Sequence, residues 1–166
     1  MNREFRNDDR VEIREICAIL FVVMQTLELM KTHVVKTSPA ASLGEAVDLM
    51  DLYQVNGLPV IDADGILCGY LAEADVLAAM HLSDRSFLLP ASLGADRRSV
   101  REKPVGAFMR TSVISVPEDV DLTDACRLLL DQCLKRVPVV DAKGRVVGVL
   151  NRIDVIQAIF DGTVQL

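Results

Sequence analysis

Residues 30–80 recur, without a gap, as residues 109–159. Gly-Leu-Pro-Val-Ile-Asp-Ala-Asp-Gly at 57–65 answers to Arg-Val-Pro-Val-Val-Asp-Ala-Lys-Gly at 136–144, an offset of 79. The same offset carries Met30 onto Met109, Thr32 onto Thr111, Val34 onto Val113, Leu43 onto Leu122, Ala46 onto Ala125 and Leu49 onto Leu128. It also carries Gly69 onto Gly148, Leu71 onto Leu150, Asp75 onto Asp154 and Val76 onto Val155. Of the 51 aligned positions, 16 are identical, and most of the others keep their polar or apolar character. Each copy is therefore one supersecondary unit. A unit of about 50 residues buries too little surface to stand alone. The two copies must pack on each other, around a pseudo-twofold axis.

Each copy reads β-α-β-β-α. A short strand is expected at 34–36 and at 113–116. A helix follows, opened by Ser42-Leu-Gly-Glu45 in the first copy and Asp121-Leu-Thr-Asp124 in the second. In both, the first residue can accept from an orphan amide, and the acid suits the positive helix end. Apolar runs at 58–61 and 66–71, or 137–140 and 146–150, flank Asp-Ala-Asp-Gly or Asp-Ala-Lys-Gly, a turn signal between two hairpin strands. A last helix is expected over 73–80 and 152–160. Residues 1–29 read as an N-terminal helical segment, 30–80 as repeat 1, 81–102 as a surface linker with some helix, 103–160 as repeat 2 and 161–166 as a tail.

Composition narrows the function. Half of the chain is hydrophobic but only 4% is aromatic, so the core is aliphatic. A net charge of −6 without a broad basic stripe argues against nucleic acid. The cluster Arg97, Arg98, Arg101 and Lys103 is short and reads as a solvated linker. Repeat 1 carries a net −5, from Lys31 and Lys36 against seven acids, whereas repeat 2 balances seven bases with seven acids. An anionic ligand is better tolerated near repeat 2. Cys17, Cys68, Cys126 and Cys133 form no C-x-x-C pair, which leaves buried reduced thiols and a reducing compartment. The apolar run at 17–24 is too short to span a bilayer, and no signal-peptide pattern surrounds it. No phosphate-cradling loop, metal cluster or nucleophile–base constellation is evident, so the chain reads as a cytoplasmic non-enzyme.

The doubled pattern h-P-V-h-D-x-x-G before G-h-h-x-x-x-D-h, with h apolar, resembles the CBS (cystathionine-β-synthase-type) domain. The resemblance covers residues 23–80 and 103–160. The fold class it implies is α/β in its α+β form: two β-α-β-β-α repeats about a pseudo-twofold axis, preceded by an N-terminal helix. Tandem CBS pairs (Bateman modules) generally bind adenosine-containing ligands between the repeats, associate into disc-like dimers and act as regulatory modules. The implied ligands are AMP, ADP, ATP or S-adenosylmethionine, with no required cofactor, and the implied partners are a second copy and a separate effector protein.

The family's ligand motif, G-h-h-[ST]-x-x-D, reads Gly69-Tyr-Leu-Ala-Glu-Ala-Asp75 and Gly148-Val-Leu-Asn-Arg-Ile-Asp154. Both Asp residues match, and they are the implied ribose ligands. Ala72 and Asn151 stand where Ser or Thr is usual. The resemblance adds Thr37, Ser38 and Asn56 to the cleft, with Val116 in the second copy.

Read physically, a carboxylate accepts two hydrogen bonds from a vicinal diol, and a helix N-terminus favours phosphate. Leu58, Pro59, Val137 and Pro138 offer apolar walls for a base. Arg136, Arg152 and Asn151 are candidate phosphate contacts, which favours occupancy of the Asp154 cleft over one where Gly57 and Glu73 take the places of the two arginines. A helix-capping role for Asp154 and Asp75 stands beside the ribose role, since Asn151 is a good N-cap and Asp154 sits three residues later. A ligand-free dimerisation module with degenerate sites is the alternative function.

Overall fold

The computed structural model describes residues 25–83 and 96–163. Residues 1–24 of the N-terminal helical segment expected over 1–29, with Cys17, and the linker residues Pro90 and Gly94 lie outside the described residues. So do the side chains of His81, Arg97 and Arg98.

The hairpins form where the turn signals place them. In repeat 1, β1 (Gly57–Ile61) pairs antiparallel with β2 (Leu67–Ala72), Leu58 opposite Leu71 and Val60 opposite Gly69. In repeat 2, β4 (Arg136–Val140) pairs with β5 (Val146–Asn151), Val137 opposite Leu150 and Val139 opposite Gly148. Each turn is closed by its Asp. Asp62 Oδ1 accepts from the amides of Asp64 and Ile66, and Asp141 Oδ1 from those of Lys143 and Arg145. Gly65 and Gly144, at φ +81° and +78°, supply the left-handed step that L-residues resist.

The helices follow the capping signals. In α2 (Leu43–Leu52), Ser42 Oγ accepts from the Glu45 amide at 3.1 Å while Glu45 Oε2 accepts from the Ser42 amide at 2.8 Å, a complete capping box. In α5 (Leu122–Asp131), Asp121 accepts from the Thr123 amide, but no return bond forms. Asp124 is one methylene shorter than Glu and pairs with Arg127 instead. The last helices are α3 (Glu73–Ser83), longer than expected, and α6 (Arg152–Phe160). Leu58, Val60 and Leu71 fill one core with Leu43 and Ala46, and Val137, Val139 and Leu150 fill the other with Leu122 and Leu129.

The expected strand at 34–36 does not form; a single parallel bridge joins Thr37 to Val60. Its counterpart, β3 (Val116–Pro117), has two residues, not the expected 113–116, and runs parallel to β4. The backbone just upstream explains both. Lys31 is bridged to Val149 on β5, and Arg110 to Tyr70 on β2, each by two hydrogen bonds of 2.9 Å. The chain between these bridges and the repeat's own β1 or β4 is crossing from one sheet to the other, and it has no ladder to join.

The repeats thus exchange arms. The short helix α1 (Thr26–Leu29) precedes repeat 1 but binds repeat 2, with the Thr26 amide donating to Val120 O. Residues 103–110 open repeat 2 but bind repeat 1, with the Val105 amide donating to Ala41 O and the Val105 side chain fully buried in the repeat 1 core. The segment expected as a solvated linker contributes α4 (Asp96–Arg101), whose Val100 joins the same core and whose Arg101 pairs with Asp48 at 2.8 Å.

Candidate ligand-binding clefts

Asp75 and Asp154 sit in the first turns of α3 and α6, directly after β2 and β5. Their side chains are only 15% and 13% exposed, and each meets a cation from the opposite repeat. Arg110 places Nε at 2.9 Å and Nη2 at 2.8 Å from Oδ1 of Asp75. Lys31 places Nζ 2.9 Å from Oδ1 of Asp154. Positions 31 and 110 are 79 apart, so the two ion pairs are copies of each other across the pseudo-twofold axis. Sequence reasoning passed over both cations. The signal was a basic residue at matched places in the two copies, between the matched Met and Thr.

The second oxygens are also engaged. Asp75 Oδ2 accepts from the Ala72 amide at 3.0 Å, the acid half of a capping box. Asp154 Oδ2 accepts from Asn151 Nδ2 at 2.6 Å. Asn151 makes no side-chain cap bond to the helix, contrary to the expected capping role; its Nδ2 donates to that carboxylate instead. Each Asp is held from both sides, but Oδ2 of Asp75 and both oxygens of Asp154 accept one bond apiece and keep lone-pair capacity for a further donor.

Around Asp75 the site is built from both repeats. Tyr70 fills the space that a side chain at Gly57 would need, its hydroxyl 2.7 Å from a Cβ built there. Burial pushes the Tyr70 phenol above its usual range; Arg136 counters this and Asp75 adds to it, so both charged groups act on this ring. Arg136 comes from β4 of repeat 2, but its side chain turns to repeat 1. There it closes a groove of about 550 Å³ with Asn56 and Glu73, between α2 and α3. The expected grouping of Arg136 with Asp154 is corrected accordingly. Arg136 Nε is buried without a hydrogen-bond partner among the described residues, and so is the hydroxyl of Thr37.

Other expected cleft residues divide by strand face. Leu58, Val137 and Val116 do not wall a cleft: all three side chains are buried in the repeat cores. Side chains alternate along a strand, so Pro59 and Pro138 lie on the faces opposite Leu58 and Val137. Ser38 Oγ accepts from the Ala41 amide. Arg152 follows Asn151 in α6, and its amide donates to Lys135 O, as the Glu73 amide does to Asn56 O. Of the cysteines, Cys126 is buried and Cys68 half-buried, while Cys133 is exposed, contrary to expectation, because α5 ends before it and its φ is +52°. Among the described residues no group of His, Cys, Asp and Glu can hold a metal, and no helix is long and apolar enough to cross a membrane.

Residues 27–82 and 105–161 each match the CBS domain family. The chain belongs to that family. A CBS domain-containing protein of Arabidopsis thaliana, CBSX2 (chloroplastic), is 36% identical over an alignment of 140 residues that covers 76% of this chain and 58% of the relative. The chain thus spans a little over half the length of this curated relative. The crystal structure of CBSX2 in complex with AMP superposes with a TM-score of 0.68 at 30% identity, covering 84% of this chain and 98% of that one. An inosine-5'-monophosphate dehydrogenase of Methanocaldococcus jannaschii is 28% identical over 130 residues, 78% of this chain but only 22% of that enzyme. The likeness to the dehydrogenase is confined to that fraction.

Proposed function

We propose that this CBS pair is a regulatory sensor that binds an adenosine-containing ligand between its repeats and reports to a separate effector protein. The observation that carries the reading is the pair of rigid, half-buried carboxylates, Asp75 and Asp154, each at a helix start and each bordered by a cation of the other repeat. A vicinal diol on such a carboxylate, with a phosphate facing the cations, ties the two repeats together and shifts the balance of their packing. The AMP complex of CBSX2 supports an adenine nucleotide in this role. The pair supplies no catalytic constellation in this reading and acts by binding alone. Its free thiols suit the cytoplasm.

Melting in the presence of AMP, ADP, ATP or S-adenosylmethionine tests the proposal. A ligand at about 100 times its dissociation constant adds ~2.7 kcal/mol, which raises the melting temperature by roughly 5–11 °C for a chain of this size. Unchanged melting with all four at millimolar concentration sinks the sensor reading.

That outcome leaves the ligand-free dimerisation module, which the replacement of both motif Ser/Thr positions by Ala72 and Asn151 favours. Self-association belongs to both readings. Leu77 and Ile156 hold the same place in α3 and α6 and are 58% and 38% exposed, and Ile153 and Phe160 extend the apolar face on α6. Sedimentation equilibrium of the Leu77→Glu/Ile156→Glu variant is expected to give the mass of one chain.

A further inference from the structure

The Asp75 cleft already holds a competitor for any ligand. Arg110 occupies Oδ1 of Asp75 with two guanidinium nitrogens, and yet its side chain is 63% exposed. It is thus free to leave toward solvent without dragging the core with it. Arg136 arrives from the same repeat, with Nε buried and unpartnered, and acts on the same Tyr70 ring as Asp75. Arg110 therefore sits on the carboxylate itself, and a second guanidinium from repeat 2 stands near the Tyr70 ring beside it. The other cleft lacks this excess. Lys31 reaches Asp154 with one contact, and Gly57 and Val149 stand in the places of Arg136 and Tyr70.

We propose that Arg110 is an exchangeable latch that makes the Asp75 cleft selective for phosphorylated nucleotides over neutral nucleosides; this rests on the reading of Asp75 as a diol acceptor. A ligand carrying both a vicinal diol and a phosphate replaces both halves of the ion pair. The diol donates to Asp75, and the phosphate accepts from Arg110 and from the orphaned Arg136. A neutral nucleoside satisfies the carboxylate but gives the displaced guanidinium nothing in return. An anion also gives the unpaired Arg136 a charge-assisted bond, roughly twice as strong as one to a neutral acceptor.

Calorimetric titration of the full chain with AMP and with adenosine tests this. AMP is expected to bind at least tenfold more tightly than adenosine. Arg110→Gln is expected to weaken AMP about tenfold, the worth of one charge-assisted contact, and to leave adenosine unchanged or tighter, because the competitor is gone. Arg136→Gln, at a second and independent position, is expected to weaken AMP selectively as well. If both variants leave the AMP-to-adenosine ratio at its original value, the latch is refuted while the diol reading stands. If neither compound binds the unaltered protein, the diol reading itself falls and the latch falls with it.

Discussion

Gly69→Ala probes the contact that locks the repeats together. Gly69 lies on β2 without a positive φ, so glycine here supplies space, not backbone freedom. A Cβ built at this position falls 3.0 Å from Cγ of Met109, closer still to its sulfur, and 3.2 Å from the Arg110 carbonyl oxygen. The carbonyl cannot retreat cheaply, because it is fixed by the paired hydrogen bonds between Tyr70 and Arg110. Met109 must therefore swing aside, which its three rotatable bonds allow at the cost of its packing against the repeat 1 core. Overpacking of this kind costs about 1–3 kcal/mol, or roughly 2–12 °C in melting temperature. Urea unfolding of a double-mutant cycle with Met109→Ala isolates the cause. Truncating Met109 should relieve the clash, so the two changes should couple by about 1 kcal/mol or more. Additivity to within ~0.5 kcal/mol would show that the new methyl never met Met109, and the account of Gly69 would fail. Gly148, whose Cβ would lie 2.8 Å from Cγ of Met30, should behave alike.

Acid should weaken the fold at defined points. Hydrogen bonds from the Ser42 amide and hydroxyl lower the Glu45 carboxyl below its ordinary value, so its contribution is full above the ordinary glutamate range and is lost as pH falls through the depressed value. Ser42→Ala should cost about 1 kcal/mol near neutrality and flatten the acid side of a stability–pH curve; an unchanged curve would discount the capping box. In a Cys17→Ser background, maleimide should label native protein at the exposed Cys133 first. The thiol of Cys126, raised by burial, should label only on unfolding; simultaneous labelling followed by mass spectrometry would contradict the packing of α5.

The hairpins and late helices were legible because their signals are local. An Asp and a Gly at fixed spacing closed each turn, and alternation placed Leu58 and Val60 inward. The same alternation turns Leu58 and Val137 inward, away from any cleft wall. The first strands were over-read because nothing local says that Lys31 and Arg110 pair with the other repeat. That pairing joins Lys31 to Val149 and Tyr70 to Arg110, far apart in sequence, and is set by the pseudo-twofold axis. The ion pairs on Asp75 and Asp154 were hidden for the same reason. Arg136 reads as a partner of Asp154 because its neighbours in sequence are repeat 2 residues, while its side chain lines a groove with Asn56 and Glu73 of repeat 1.

The exchanged arms bear on how such a chain comes to fold. A single unit with its arm has nowhere to place that arm except on a second unit, so as separate molecules two such units would meet only at a rate and occupancy set by their concentration. Joining them end to end makes the encounter intramolecular, at an effective concentration on the order of millimolar for a short connection. The arms of α1 and of residues 103–110 then close a ring of contacts in which neither repeat completes itself. Unfolding should be a single cooperative event for the whole chain, and a cut between residues 83 and 96 should leave two halves that regain structure only when mixed.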